Sequence, residues 1–113
     1  MLNYINAYRR IMIQGIVMKN GNIILTSNIE KIVPEDYNDP DLEITDPYLV
    51  EKISITNSLM IKAYLKDYTN QSIFSFRSED ILTLFSPKEH LIEEYKKLTG
   101  VVEQLELSVE ESN

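Results

Sequence analysis

The sequence predicts a mainly β protein: a small antiparallel barrel or strongly bent sheet of five to six strands, with one C-terminal amphipathic helix; an open α+β sandwich with the helix on one face is the alternative the pattern leaves open. Three observations lead there. Short apolar runs with period-two alternation recur along residues 10–85, each bounded by turn residues. Asn20-Gly21 lies between two of those runs and is the strongest short hairpin signal in the chain. Residues 86–100 alone combine an apolar stripe at helical spacing with start and stop signals.

The opening hairpin is Arg10–Met18 and Ile23–Ser27, with Asn20 and Gly21 expected at positive φ in a two-residue type I′ turn. Gly15 suggests a bend or bulge. Ile29–Val33 follows and stops at Pro34. Tyr48–Thr56 and Ser58–Lys66 read as a strand pair joined by the tight three-residue connection Thr56–Ser58, with Leu49, Glu51, Ile53 and Ile55 on one side of the first strand. Asp67–Gln71 makes a turn, Ser72–Arg77 places Phe74 and Phe76 on one face, and Ile81–Phe85 completes the strands. In the helix, Ser86 is the expected N-cap, Pro87 the first helical residue and Glu89 the partner in a capping box. Leu91, Ile92, Tyr95 and Leu98 form its apolar stripe, Glu93 and Lys97 its i,i+4 pair, and Gly100 its left-handed end. Residues 1–100 are thus expected as a single domain, residues 2–8 as a helical turn or extended lead-in, and residues 101–113 as an acidic tail with a disordered end.

The net charge is −7, but its distribution matters more. Glu35–Glu51 holds seven acids and no base, and Glu103–Asn113 four acids and no base; the rest has seven acids against 11 bases. There is no cysteine, which removes thiolate nucleophiles and sulfur-ligated metals. No run approaches the roughly 20 apolar residues of a membrane span, and Met1–Met18 lacks the pattern of a signal peptide. A soluble, cytoplasmic protein with no membrane partner is expected.

The acidic loop, residues 34–47, is the first candidate site. An EF-hand started at Asp36 would put Pro40, Asp41 and Pro47 where the motif needs a ligand, a glycine and a bidentate glutamate, so that reading fails. The loop then reads either as a simple solvated connection, kept extended by Pro34, Pro40 and Pro47, or as a docking element that offers Asp36, Asp39 and Asp41 to steer a protein partner and Tyr37, Leu42 and Tyr48 to anchor it. Removing residues 36–46 is then expected to spare folding and abolish capture. The second candidate is a surface for RNA, single-stranded nucleic acid or a nucleotide, built from Lys62, Tyr64, Lys66, Tyr68 and Arg77. Arg9 and Arg10, adjacent on a strand, point to opposite faces and read as edge charge. Catalysis is poorly supplied: His90 is the sole histidine, the three glycines are isolated, and no nucleophile–base pair can be assembled from the usual groups. No catalytic residue, metal site or cofactor is expected; a protein partner is, and strand edges leave homo-oligomerisation open.

The order of elements resembles that of small SH3-like or Sm-like barrels, with RIMIQGIVMKNGNIILTS as the opening hairpin and SIFSFRSEDILTLF as the closing strands, over residues 9–85. The Sm signature at the RNA-contacting turns is not present, so no binding residue is carried over. The segments TDPYLV, YLKDYTNQSIFSF and DILTLFSP are similar to small proteins of tailed phages. That resemblance implies an accessory protein that binds a host or viral factor.

Overall fold

A computed structural model describes residues 8–10, 12–101 and 105–107. Its strands are β1 (Tyr8–Arg10), β2 (Gln14–Met18), β3 (Ile23–Thr26), β4 (Asn28–Lys31), β5 (Leu42–Thr45), β6 (Tyr48–Lys52), β7 (Leu59–Ala63), β8 (Ile73–Phe76), β9 (Ile81–Phe85) and β10 (Leu105–Leu107). One helix, α1 (Glu89–Thr99), follows β9. Strands β2–β9 form two antiparallel sheets, ordered β7-β6-β3-β2-β9 and β4-β5-β8, and β1 pairs with β10 in a separate ladder. The sheets are not joined edge to edge into a closed barrel.

One long bent hairpin runs through both sheets, as β3 and β6 in the larger and β4 and β5 in the smaller. Ile23 lies opposite Val50 in the larger sheet and Lys31 opposite Leu42 in the smaller, so a single register runs through with no residue inserted. Both strands turn the corner together, at Ser27 on one side and Asp46-Pro47 on the other. Thr26, fully buried, holds that corner: its Oγ1 donates to Thr45 O at 2.6 Å and accepts from Asn28 N at 3.2 Å. Asp46 takes the left-handed conformation (φ 47°), which an aspartate tolerates better than most side chains.

Alternation along these strands gives the larger sheet two apolar faces. Leu25 and Ile61 pack with Ile13, Tyr48, Val50 and Phe85 under the helix residues Leu91 and Tyr95. Ile16, Met18 and Ile24 face the smaller sheet, where Ile44, Ile29 and Phe76 meet them with Tyr64. Helix, five-stranded sheet and three-stranded sheet are therefore three layers around two packed interfaces.

Several expectations are corrected. Gly21 alone is left-handed (φ 96°), and its N–H bonds to Met18 O; the loop is a three-residue turn over Lys19–Gly21, not a type I′ turn. Gly15 is not bulged. It lies opposite Phe85, and a Cβ there would collide with the Phe85 ring; the register break falls at Val17/Met18. The β6–β7 connection is Ile53–Ser58, closed by Asn57 N–H to Ile53 O, so Ile55 is 93% exposed and shares no strand face. β7 stops at Ala63, and residues 64–68 form a turn with Leu65 at φ 56°. The helix begins at Glu89 with Lys88 as N-cap; Pro87 is buried before it, and Ser86 precedes both. Leu98 is exposed, and the helix ion pairs are Glu93–Lys96 and Glu94–Lys97 at i,i+3. Gly100 does take the left-handed end, its N–H bonding to Lys96 O. The last two expectations at the termini, a lead-in at residues 2–8 and a disordered end, lie largely outside the described residues.

Candidate functional site

The acidic segment is shorter than its composition suggests. Leu42–Thr45 alternates apolar and polar side chains and forms β5, the central strand of the smaller sheet. Leu42 is buried, opposite Phe76, and cannot anchor a partner. Tyr48 is half-buried in β6, its ring edge-on to Tyr95 at 5.4 Å. A deletion of residues 36–46 would therefore remove a core strand, against the expectation that it spares folding.

What remains is the tip of the bent hairpin, residues 32–41, and it is tied down. Asp36 and Asp39 close a turn on each other: Asp39 N–H bonds to Asp36 O, and Asp39 Oδ2 accepts from Asp36 N–H at 3.0 Å. Asp41 grips Ser78 with both carboxylate oxygens, accepting from its N–H at 2.7 Å and its Oγ at 2.6 Å. These bonds hold the Asp41 carboxyl below the usual range, the hydroxyl contributing most and the backbone N–H next. A shallow groove of about 200 Å³ lies between the tip and the turn after β8, lined by Pro34, Tyr37, Asn38, Asp39, Asp41 and Arg77–Glu79. Tyr37 stands beside it, 95% exposed.

Arg77 belongs to this groove. Its guanidinium forks onto Asp80 (Nε to Oδ2 3.2 Å, Nη2 to Oδ1 3.3 Å) and reaches Glu79 Oε2 at 3.2 Å. Asp80 first, then Glu79, favours its charged form. The five residues expected to bind nucleic acid are thus not brought together. Tyr64 packs against Phe74 and Phe76 at ring separations of 5.3 and 5.7 Å. Tyr64 and Lys66 line a second groove of about 250 Å³ with Asp46, Tyr48, Asn70 and Gln71, while Tyr68 is 84% exposed in the turn beyond β7 and Lys62 lies within β7 opposite Leu49.

Three residues escaped the sequence reading. Ser78 left no signal, because its partner is set by the fold and sits 37 positions away at Asp41, whereas Asp80 lies only three residues after its partner Arg77, a local spacing that could have been noticed. Tyr95 was read as stripe alone, yet its hydroxyl donates to Asp46 O at 2.8 Å and pins the hairpin corner to the helix. Burial pushes the phenol up to about 12. Among the described residues no group of three or more metal-ligating side chains converges, and no helix is long and apolar enough to cross a membrane. His90 is exposed near the helix start.

Residues 11–100 match a family of unknown function (DUF6561), and the chain belongs to that family. None of the curated proteins matches it.

Proposed function

We propose that this DUF6561 member is a non-enzymatic binding module that engages a protein partner through the tip of its bent hairpin. The observation that carries the reading is the Asp41–Ser78 clamp. A merely solvated connection has no need of a double charge-assisted bond to a distant turn, whereas a recognition loop gains affinity when its shape is set before binding. The clamp holds Tyr37, an exposed aromatic of the type that anchors interfaces, next to carboxylates that would steer a basic surface toward it. A cytoplasmic accessory role, including binding of a host factor by a phage-encoded protein, is supported by the tailed-phage resemblance of Tyr64–Phe76 and its companions. The SH3-like or Sm-like layout is supported by the order of short antiparallel strands and the bent hairpin. The lack of cysteine and the single, exposed histidine support a role without covalent or acid–base chemistry.

The test is capture from the source cell with tagged wild type, Tyr37→Ala, and Ile55→Ala as an equally exposed control. Tyr37→Ala should lower recovery of a discrete partner about tenfold, the loss of roughly 1.4 kcal/mol, while Ile55→Ala retains it. Equal recovery by all three proteins rejects the hairpin tip as the contact.

A further inference from the structure

The chain holds two Asp-Pro bonds, Asp39-Pro40 and Asp46-Pro47, and the fold treats them differently. Such a bond carries its own means of hydrolysis. The aspartate carboxyl can reach its own backbone carbonyl carbon through a five-membered ring, and the proline nitrogen, more basic than an ordinary amide nitrogen, takes up a proton and departs more easily. Nucleophile and target already share one residue, so orientation and the stabilisation of developing charge decide the rate.

At Asp46 the corner of the bent hairpin supplies both. The backbone is held at three points: Asp46 N–H donates to Ser72 O at 2.6 Å, Asp46 O accepts from the Tyr95 hydroxyl at 2.8 Å, and Pro47 O accepts from Tyr64 N–H at 2.9 Å. Tyr95 is wholly buried, so it aims a donor shielded from water at the oxygen that carries the negative charge of a tetrahedral intermediate. The residue before a proline is pushed by clash toward extended backbone. Asp46 instead stands at φ 47°, a strained conformation that is released when the bond to Pro47 breaks. The carboxyl itself makes no hydrogen bond or ion pair among the described residues, and it lines the second groove, which is open to water. Asp39 has none of this. Its carboxylate accepts from Asp36 N–H, its carbonyl accepts no hydrogen bond among the described residues, and its φ is not left-handed.

We infer that Asp46-Pro47 is a self-cleaving bond, hydrolysed by the Asp46 carboxyl with the Tyr95 hydroxyl as oxyanion donor. A carboxyl oxygen attacks the Asp46 backbone carbon, forming a C–O bond, and the carbonyl π electrons move onto the oxygen that Tyr95 holds. The tetrahedral centre collapses by breaking the C–N bond; the carboxyl's own proton passes to the Pro47 nitrogen, which leaves as a secondary amine. One water then opens the five-membered cyclic anhydride, restoring the side-chain carboxyl beside a new C-terminal carboxyl. One peptide bond and one water are consumed, nothing is oxidised or reduced, and neither cysteine nor histidine is required. The protonated carboxyl is the competent form, and burial raises Asp46 above its ordinary 3.8, extending that form toward milder acid. Around it stand Tyr48 of β6, Tyr64 and Lys66 after β7, and Tyr95 of α1, residue types that titrate far above this range. The inference does not rest on the hairpin-tip reading: capture by Tyr37 needs no cut, and the cut needs no partner.

The experiment incubates the full chain from neutral to mildly acidic pH, folded and in urea, and follows fragments by mass spectrometry, with circular dichroism reporting the fold. In the folded chain, fragments 1–46 and 47–113 should accumulate at least about tenfold faster than 1–39 and 40–113, and faster still as pH falls toward the raised value of Asp46. In urea the two bonds should be cut at similar rates. Tyr95→Phe keeps the ring and should slow cleavage after Asp46 about tenfold or more, leaving cleavage after Asp39 unchanged, while Asp46→Asn should abolish the first and retain the second. Equal rates at the two bonds in the folded wild type overturn the inference, as does absence of fragment 1–46 where the unfolded chain is cut. So does a folded Tyr95→Phe protein that cleaves after Asp46 as fast as wild type.

Discussion

Replacing Tyr95 by phenylalanine removes one oxygen and leaves the packed ring in place. The hydroxyl donates to Asp46 O at 2.8 Å from a side chain with no exposed surface. Without it a corner carbonyl loses its donor, at a cost of about 1–2 kcal/mol. For a domain of this size that lowers Tm by about 4–8 °C. A second signature separates this bond from general packing. Burial raises the phenol from its ordinary 10.0 to about 12, so the folded state favours the protonated form. That contribution is whole below pH 10 and is lost as pH climbs toward 12, because the unfolded chain ionises first. Urea unfolding at several pH values should show wild-type stability falling over this alkaline window by an amount on the order of 2 kcal/mol, on top of any common background from other groups. Tyr95→Phe should be less stable at pH 7 and lack that increment. A neutral-pH loss smaller than about 0.5 kcal/mol, or an alkaline branch the same in both proteins, would refute the role assigned to Tyr95.

Three further outcomes are expected. Gly15→Ala puts a methyl into the Phe85 ring and should cost about 1–3 kcal/mol in urea unfolding, with Phe85→Leu recovering part of it. Asp41 is held below its ordinary 3.8, so its grip on Ser78 persists above that value and is released as pH falls through the lowered one. The protection of the Ser78 amide against hydrogen exchange, relative to its intrinsic rate at each pH, should fall there, and in Asp41→Asn it should be low throughout. Asp46 behaves in the opposite sense, its carboxyl raised by burial, so ionisation above its ordinary 3.8 disfavours the fold. Asp46→Asn keeps a residue suited to left-handed φ and should raise stability at pH 7 by a few tenths of a kcal/mol, with the difference vanishing in acid.

Local pattern was enough for the helix and for the strands whose faces alternate. Leu91, Tyr95 and Gly100 could be placed from spacing alone, because helix period and C-terminal stop are properties of neighbours in the chain. The start of the helix was less legible: Ser86 and Pro87 make a good local signal, but the chain buries Pro87 before turning helical at Glu89. The acidic stretch misled for a similar reason. Its carboxylates dominate the composition, yet Leu42-Glu43-Ile44-Thr45 carries the strand alternation, and that pattern was the signal to weigh. Nothing local announced that β3–β4 and β5–β6 are one bent hairpin, since the corner is fixed by Thr26 and Tyr95 acting across distances of 19 and 49 residues. The same holds for the candidate site: Tyr37 and the acids were visible, the Ser78 clamp was not.

The placement of these ties is what makes the hairpin tip suited to the recognition role proposed for it. A loop on an ordinary two-residue hairpin would move with the edge strand that bears it. Here the strands feeding residues 32–41 cross both sheets, and their corner is bonded on one side through Thr26 and on the other through Tyr95 of the helix. The tip is then fastened a second time by Asp41 to the turn after β8, which is itself stiffened by Arg77 and Asp80. Position therefore passes from the core to Asp41 through hydrogen bonds, and only the Asp36–Asp39 turn, itself bonded, lies between that clamp and Tyr37. Cutting the Asp41–Ser78 bond alone should loosen the tip without melting the sheets, and cutting the Tyr95–Asp46 bond should soften the corner while the clamp persists. Partner affinity that follows the first change and ignores the second would place the recognition energy in the ordered tip and not in the fold beneath it.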